Sequence, residues 1–414
     1  MKNNLISSLI FLLLINSALF AQDDPARLSL QDCYMTALEH NWQLKMAKAD
    51  VSIAEIEREK LKTAYFPSVE ANSTFSTLNI PEFALNQLTW NNTVSANLTL
   101  FDFGKRRKNI ASAQAQTMAV DLGYHLTWMD LKENIALAYI NVLQSQEILK
   151  VLLKRNENDK ALLDEVNERY EIGVTRYSNL LQARVAFNNS TTAIAVAEKN
   201  LESSINQLEI PLNRPLNIDG VEGSLEMFYE MPEEDYSIDA FPEMLRAEAE
   251  ARAQEAVMES ARADLKPTVA AYGTAGYGNS MFIDYGFNWN AGINLSIPLF
   301  NAGRLRKNVE QEKVRLQQLG LGRVGLKWEI QRQLESTEIA IEEASQRIDN
   351  LKFALTSAEE NVTIAEGEFR EGLTSFNSVT DARIFHLNAE LEYINALADL
   401  RRAQIKKLRL LGTL

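Results

Sequence analysis

One motif occurs twice in this chain, and its recurrence constrains the fold more than any other feature. "LTLFDFGKRRKN" at residues 98–109 returns as "SIPLFNAGRLRKN" at 296–308, with Phe101 and Phe300 separated by 300 − 101 = 199 positions. "RYEIGVTRYSNLLQARVAF" at 169–187 returns as "EFREGLTSFNSVTDARIFH" at 368–386. There Tyr170 matches Phe369, Gly173 matches Gly372, Thr175 matches Thr374, Tyr177 matches Phe376, and Ala183-Arg184 match Ala382-Arg383. "YFPSVEA" at 65–71 and "LKPTVAA" at 265–271 agree at an offset of 265 − 65 = 200. Three landmarks in the same order and spacing establish an internal duplication. A unit of this length is too long for a solenoid repeat, so the chain reads as two halves of one architecture.

A chain of 414 residues with only 9 prolines and 17 glycines favours long uninterrupted helices, and its net charge of −14 argues against nucleic acid as a partner. The lone Cys33 and three histidines leave little material for a metal site or a thiol nucleophile. No nucleophile–base set or phosphate loop is present, so neither enzymatic activity nor a cofactor is expected. Lys2, the apolar run from Leu5 to Leu14 and the small Ala21 read as a signal peptide over 1–21, too short to span a membrane. The mature chain is therefore expected outside the cytoplasm. Cys33, far past the apolar run, is expected to be a packing residue and not a lipid acceptor. The first repeat is assigned to 22–209, a Pro-, Gly- and acid-rich linker to 210–240, and the second repeat to 241–414.

No later stretch offers about 20 consecutive apolar residues, so no transmembrane helix is predicted. From Tyr285 to Leu299 apolar residues alternate instead with Gly, Asn and Ser, Pro298 excepted, and Trp90 to Leu100 does the same. Weaker partners precede them at 68–78 and 268–278, giving a β-hairpin in each half (68–101 and 268–300) with loops near 79–89 and 279–284. A soluble two-layer sheet would also alternate. Three features favour a membrane barrel: strand length, a polar face almost without charge, and aromatics near the strand ends.

The remainder is helical. Residues 104–169 and 303–368 contain no proline, and about 66 residues at 1.5 Å each span roughly 100 Å. Ile348, Leu351, Leu355, Ala358, Val362, Ala365 and Phe369 form a coiled-coil seam; the first-half copy has two polar interruptions, Asn156 and Asp159. Return helices are predicted at 177–208 and 376–410, and lead-in helices at 29–64 and 241–266, each stopping before Pro67 or Pro267. The corners join strand to helix: Phe101 or Phe300 ends a strand, Asp102 or Asn301 caps, and Gly104 or Gly303 turns the chain. The charges Lys105, Arg106, Arg107, Lys108, Arg304, Arg306 and Lys307 sit where the helix dipole disfavours them. Phospholipid headgroups are the expected compensation.

With these residues in view the chain resembles the TolC family of outer-membrane efflux and secretion channels, over nearly the whole mature sequence. The resemblance rests on the opening "LSLQDCYMTALEHN", the paired corners and the paired Gly-x-Thr tips. It implies a mainly α fold with a membrane β-barrel part: a trimeric twelve-stranded barrel above a twelve-helix periplasmic tunnel. Sequence independently requires oligomerisation, because four strands cannot close a membrane barrel, but it does not choose three copies. The resemblance further implies an exit duct of a tripartite efflux pump or type I secretion system. Its partners would be a periplasmic adaptor, an inner-membrane pump of RND or ABC type, and outer-membrane lipid. The tips Gly173, Val174, Thr175, Arg176, Gly372, Leu373 and Thr374 would meet the adaptor. Asp381 matches a family aspartate at the periplasmic aperture, Ser378 stands where a second often lies, and three family tip-link positions read Asn179, Phe369 and Thr374. Arg176 and Glu371 are local candidates for a closing contact or simply solvated tip charges. Asp381 itself either rings the axis or pairs outward with Arg383 or Arg370. An exported coiled-coil scaffold or adhesin without channel activity is the alternative reading.

Overall fold

The computed structural model describes residues 27–80, 85–226, 237–280 and 284–414. The signal-peptide assignment and both hairpin loop tips therefore lie outside the described residues. Helices α1 (Leu30–His40) and α2 (Trp42–Lys62) lead into strands β1 (Ser68–Ile80) and β2 (Leu85–Phe101). Helix α3 (Lys105–Glu171) then runs 67 residues to a tip, and α4 (Tyr177–Leu212) returns. The second half repeats this with α5 (Pro242–Ala263), β3 (Thr268–Ser280), β4 (Asp284–Ser296), the 68-residue α6 (Arg304–Glu371) and α7 (Phe376–Leu411).

Four boundaries differ from the sequence reading. The first lead-in helix is two helices, because Asn41 leaves the helical region at ψ 121° and its side chain caps α2 by accepting from Leu44 N–H at 2.9 Å. Helix α4 continues past Leu208 to Leu212; the Pro211 carbonyl there accepts from Asn41 Nδ2 at 2.9 Å. Strand β2 starts at Leu85, earlier than the alternation suggests, because Ile80 to Ser76 supply backbone partners for Leu85 to Thr89. Strand β4 ends at Ser296 and not Leu299, two residues before Pro298, which has no N–H for a ladder.

The four strands form one antiparallel sheet in the order β1-β2-β3-β4. The two hairpins thus join through β2 and β3, which lie in different halves. Each return helix packs along the long helix of its own half. Helices α5 and α7 of the second half also pack on α3 of the first, so the halves are joined along the rod as well. The main apolar core sits mid-rod, where Ile135, Val142, Leu208, Leu212, Ala396 and Ile405 are fully or almost fully buried with Cys33 and Ala37 of α1. Cys33 is a packing residue there, and burial pushes its thiol up to about 12. A second core near the tip draws Leu162, Val166 and Leu180 from the first half, and Phe369, Phe376 and Val379 from the second.

Candidate functional site

The residues singled out by the duplication lie in three places: the sheet faces, the strand-to-helix corners and the helical tips. The strand register sorts the sheet into two unlike faces, since residues directly opposite share a side. One face carries Val69, Ala71, Phe75, Trp90, Val94, Ala96, Leu98, Val269, Ala271, Ala275, Tyr277, Phe287, Trp289, Ile293 and Leu295. The other carries Ser68, Asn72, Thr74, Thr93, Ser95, Asn97, Thr274, Asn288, Asn290 and Asn294, with Glu70 its one charge among the residues whose side chains are described. Large members of the apolar face stand open: Phe75, Phe287, Trp289 and Ile293 are each about 70 % exposed. The Trp90 indole N–H on that face is satisfied within the sheet by Ser73 Oγ at 3.0 Å. Among the described residues β1 and β4 have no further strand beside them, leaving an open edge at each side.

At the first corner Asp102 organises the turn. Its carboxylate accepts from Gly104 N–H (3.1 Å), Arg106 N–H (3.0 Å) and Arg106 Nε (2.8 Å). Burial pushes this carboxyl up, but the hydrogen bonds and charge of Arg106 with the Gly104 N–H outweigh it and hold the group below its ordinary value. Arg106 also donates to the carbonyls of Ala64 and Leu100 and stacks 4.4 Å over Tyr65. Lys105 pairs with Asp264 at 2.5 Å. The headgroup explanation is therefore corrected for these two residues: protein carboxylates offset the unfavourable dipole. Arg304 and Arg306 make no ion pair among the described residues, and Asn301 Oδ1 accepts only distantly from Leu305 N–H, at 3.5 Å. Both corners use two consecutive left-handed residues, Phe103 and Gly104 (φ 49° and 87°) and Ala302 and Gly303 (φ 52° and 80°). The glycines were legible; the non-glycine partners were not.

At the tips Gly173 (φ 76°) and Gly372 (φ 75°) end the long helices with the same double hydrogen bond. Gly173 N–H and Val174 N–H donate to Tyr170 and Arg169 carbonyls; Gly372 N–H and Leu373 N–H donate to Phe369 and Glu368 carbonyls. Asn179 Nδ2 donates to Thr175 Oγ1 at 2.9 Å, and Ser375 caps α7 by accepting from Ser378 N–H. Two proposed aperture residues thus serve their own tips. Phe369 is buried edge-on to Phe376. Val174 and Leu373 are exposed at the extreme ends. Asp381 is exposed, and it pairs with neither Arg383 nor Arg370. Arg383 instead reaches Glu366 (2.8 and 2.6 Å) and Asp159 (3.0 Å), while Arg370 lies 3.4 Å from Glu165. These contacts bind α3 of the first half to α6 and α7 of the second. Sequence reasoning missed this cluster, although the repeated Ala-Arg pair flagged Arg383.

A family model described as "Outer membrane efflux protein" matches residues 33–213 and 238–413. The chain is 20 % identical to the outer membrane protein TolC of Escherichia coli over 93 % of its own length and 82 % of the relative's. It is 24 % identical to the probable outer membrane lipoprotein SilC of Salmonella typhimurium, over 84 % and 77 %. Among solved structures it superimposes on CusC with a TM-score of 0.82 at 18 % identity, covering 93 % of this chain and 92 % of that one. It likewise superimposes on the open state of the Neisseria gonorrhoeae MtrE channel, with a TM-score of 0.80 at 19 % identity over 94 % and 89 %.

Proposed function

The chain belongs to the outer membrane efflux protein family, and on that premise we propose that three copies assemble into one exit duct. Three four-stranded sheets would close a twelve-stranded barrel, with the helices forming a tunnel into the periplasm. The observation that carries this reading is the sheet itself: an exposed apolar, aromatic face backed by an exposed, nearly uncharged polar face, with both edges open. In a bilayer every edge must pair, so β4 of one copy meets β1 of the next, the apolar face meets lipid and the polar face lines water. An exported scaffold needs no such sheet.

The division into repeats 22–209 and 241–414 about a linker at 210–240 supports a tunnel built of alternating halves. The exposed Val174 and Leu373 at the tips supply an apolar contact for a periplasmic adaptor, through which an inner-membrane pump delivers its substrate. Asp381, exposed and without an ion pair among the described residues, is the aperture residue of choice, with Ser378 and Asn179 as neutral aperture positions. The duct is passive: transport energy comes from the pump. The test is to fractionate envelopes and record purified protein in planar bilayers. An outer-membrane oligomer that conducts is expected; a soluble, non-conducting monomer would overturn the reading.

A further inference from the structure

The polar face of the sheet is neutral along its described length except at one position. Either side of the Glu70–Ser95 pair it presents Ser68 with Asn97 and Asn72 with Thr93. Thr274 and Asn290 continue the Glu70 row on β3 and β4. The one aromatic among the described side chains of this face, Tyr272, brings its hydroxyl within 2.9 Å of where a Cβ on Gly292 would stand. Its ring therefore lies along the wall, over a residue without a side chain, and leaves the space in front of the sheet open. Glu70 is exposed, and its carboxylate has no ion pair or hydrogen bond among the described residues. Charged groups at the helical ends of the strands are instead paired with one another: Lys62 with Glu59 at 2.7 Å, Lys105 with Asp264 at 2.5 Å and Arg106 with Asp102 at 2.8 Å.

We propose that Glu70 selects ions by charge where the barrel opens into the tunnel, an inference that rests on the duct reading above. Glu70 is the third residue of β1, about 7 Å along the strand from Ser68, where the lead-in helices deliver the chain. Three copies set three Glu70 carboxylates around the water column at that level, and a carboxylate ring favours cations. The 68 residues of α6, roughly 100 Å of helix, separate this ring from Asp381 near the tip. Geometry fixes the size of the effect. Twelve strands about 4.8 Å apart and tilted about 40° enclose a backbone radius of roughly 12 Å, and inward glutamates then hold their carboxylates roughly 8 Å from the axis. Three such charges in water enrich monovalent cations on the axis about threefold at about 0.15 M salt, about eightfold at about 10 mM and hardly at about 1 M.

Reversal potentials of the purified protein in planar bilayers test this, under a tenfold KCl gradient that starts at about 10 mM, where screening is weak. Asp381→Asn serves as the background, so that the tip carboxylate contributes nothing. In that background the channel should still prefer cations, and adding Glu70→Gln should cut the cation-to-anion permeability ratio by at least about twofold. Glu70→Asp should keep the preference and Glu70→Lys should turn it towards anions. A role in packing would not follow the sign of the charge, and replacing this side chain removes no contact that the described residues make with it. In about 1 M salt all four proteins should converge. An unchanged ratio in Glu70→Gln at low salt would overturn the proposal and leave the duct standing. So would an anion-preferring background, which would put the unpaired Arg304 and Arg306 on the same water. Protein that conducts in no form would overturn both.

Discussion

Replacing Arg383 by Gln should loosen the tip of the second half from the first. In the folded chain its guanidinium donates to Glu366 at 2.8 and 2.6 Å, to Asp159 at 3.0 Å and to the Asn158 carbonyl at 3.2 Å. The side chains involved are 16 % (Arg383), 21 % (Glu366) and 4 % (Asp159) exposed, so solvent screens them little. Removing one partner of a buried pair costs about 3–5 kcal/mol, because the remaining charge stays buried. Here Asp159 keeps Arg155 at 3.3 Å and Glu366 keeps Arg370 at 3.8 Å, which reduces the loss to about 2–3 kcal/mol. At 1.4 kcal/mol per tenfold, local opening becomes about 30- to 150-fold more frequent.

Hydrogen exchange reads that change directly, as faster exchange of amides in the last turns of α6 and the first turns of α7. Amides around Val142 and Ile405 in the mid-rod core should be unaffected. Asp159→Asn combined with Arg383→Gln should cost less than the two single changes summed, since it leaves no unpaired carboxylate at Asp159. Acceleration below about threefold at the tip, or strict additivity in the double variant, would refute the view that this cluster holds the halves together.

Acid should weaken the first corner. The Asp102 carboxyl is lowered in the folded chain, so its contribution is present above the ordinary carboxylate value near 3.9 and is lost as pH falls through the lower folded value. Thermal melts from pH 6 down to 2.5 should show Asp102→Asn about 1–2 kcal/mol less stable at pH 6 and converging with wild type in acid. At the aperture, three Asp381 carboxylates around one axis would favour cations. Asp381→Asn should therefore lower cation selectivity in planar bilayers and weaken block by multivalent cations; unchanged selectivity would remove Asp381 from the constriction.

Features set by local backbone chemistry or strict periodicity were legible in the sequence. The turns at Gly104, Gly173, Gly303 and Gly372 all take positive φ, and glycine announces that freedom. The two faces of the sheet follow from alternation alone. What escaped depends on partners far along the chain. Asp159 looked like a flaw in a heptad; it is 224 positions from the arginine that uses it. Asn156, the other flaw, donates to Ser190 and Thr191 on α4. Arg106 looked like a headgroup ligand because periodicity does not reveal the Ala64 carbonyl or the Tyr65 ring that receive it. Phe103 and Ala302 in left-handed conformations carry no signal, since neither residue type favours that region.

The duplication also explains why the two halves diverged in charge while keeping one shape. Along the internal seam, ion pairs stand at Arg383–Asp159, Lys105–Asp264 and Arg409–Asp130. At the matching positions of the duplication these pairs read Arg184 with Ala358, Arg304 with Ala64, and Ile210 with Glu329. Not one of these retains an opposite-charge pair. Of the internal pairs Arg383–Asp159 is the shielded one, at 16 % and 4 % exposed, while Lys105–Asp264 is open at 40 % and 37 %, so the tip contact is the one that can specify register at the expense of desolvation. Elsewhere on the rod the single chain leaves apolar residues such as Trp328, Ile339, Ile53 and Met46 exposed. The contact between the two halves is thus specified in part by charge that the matching positions of the duplication do not share.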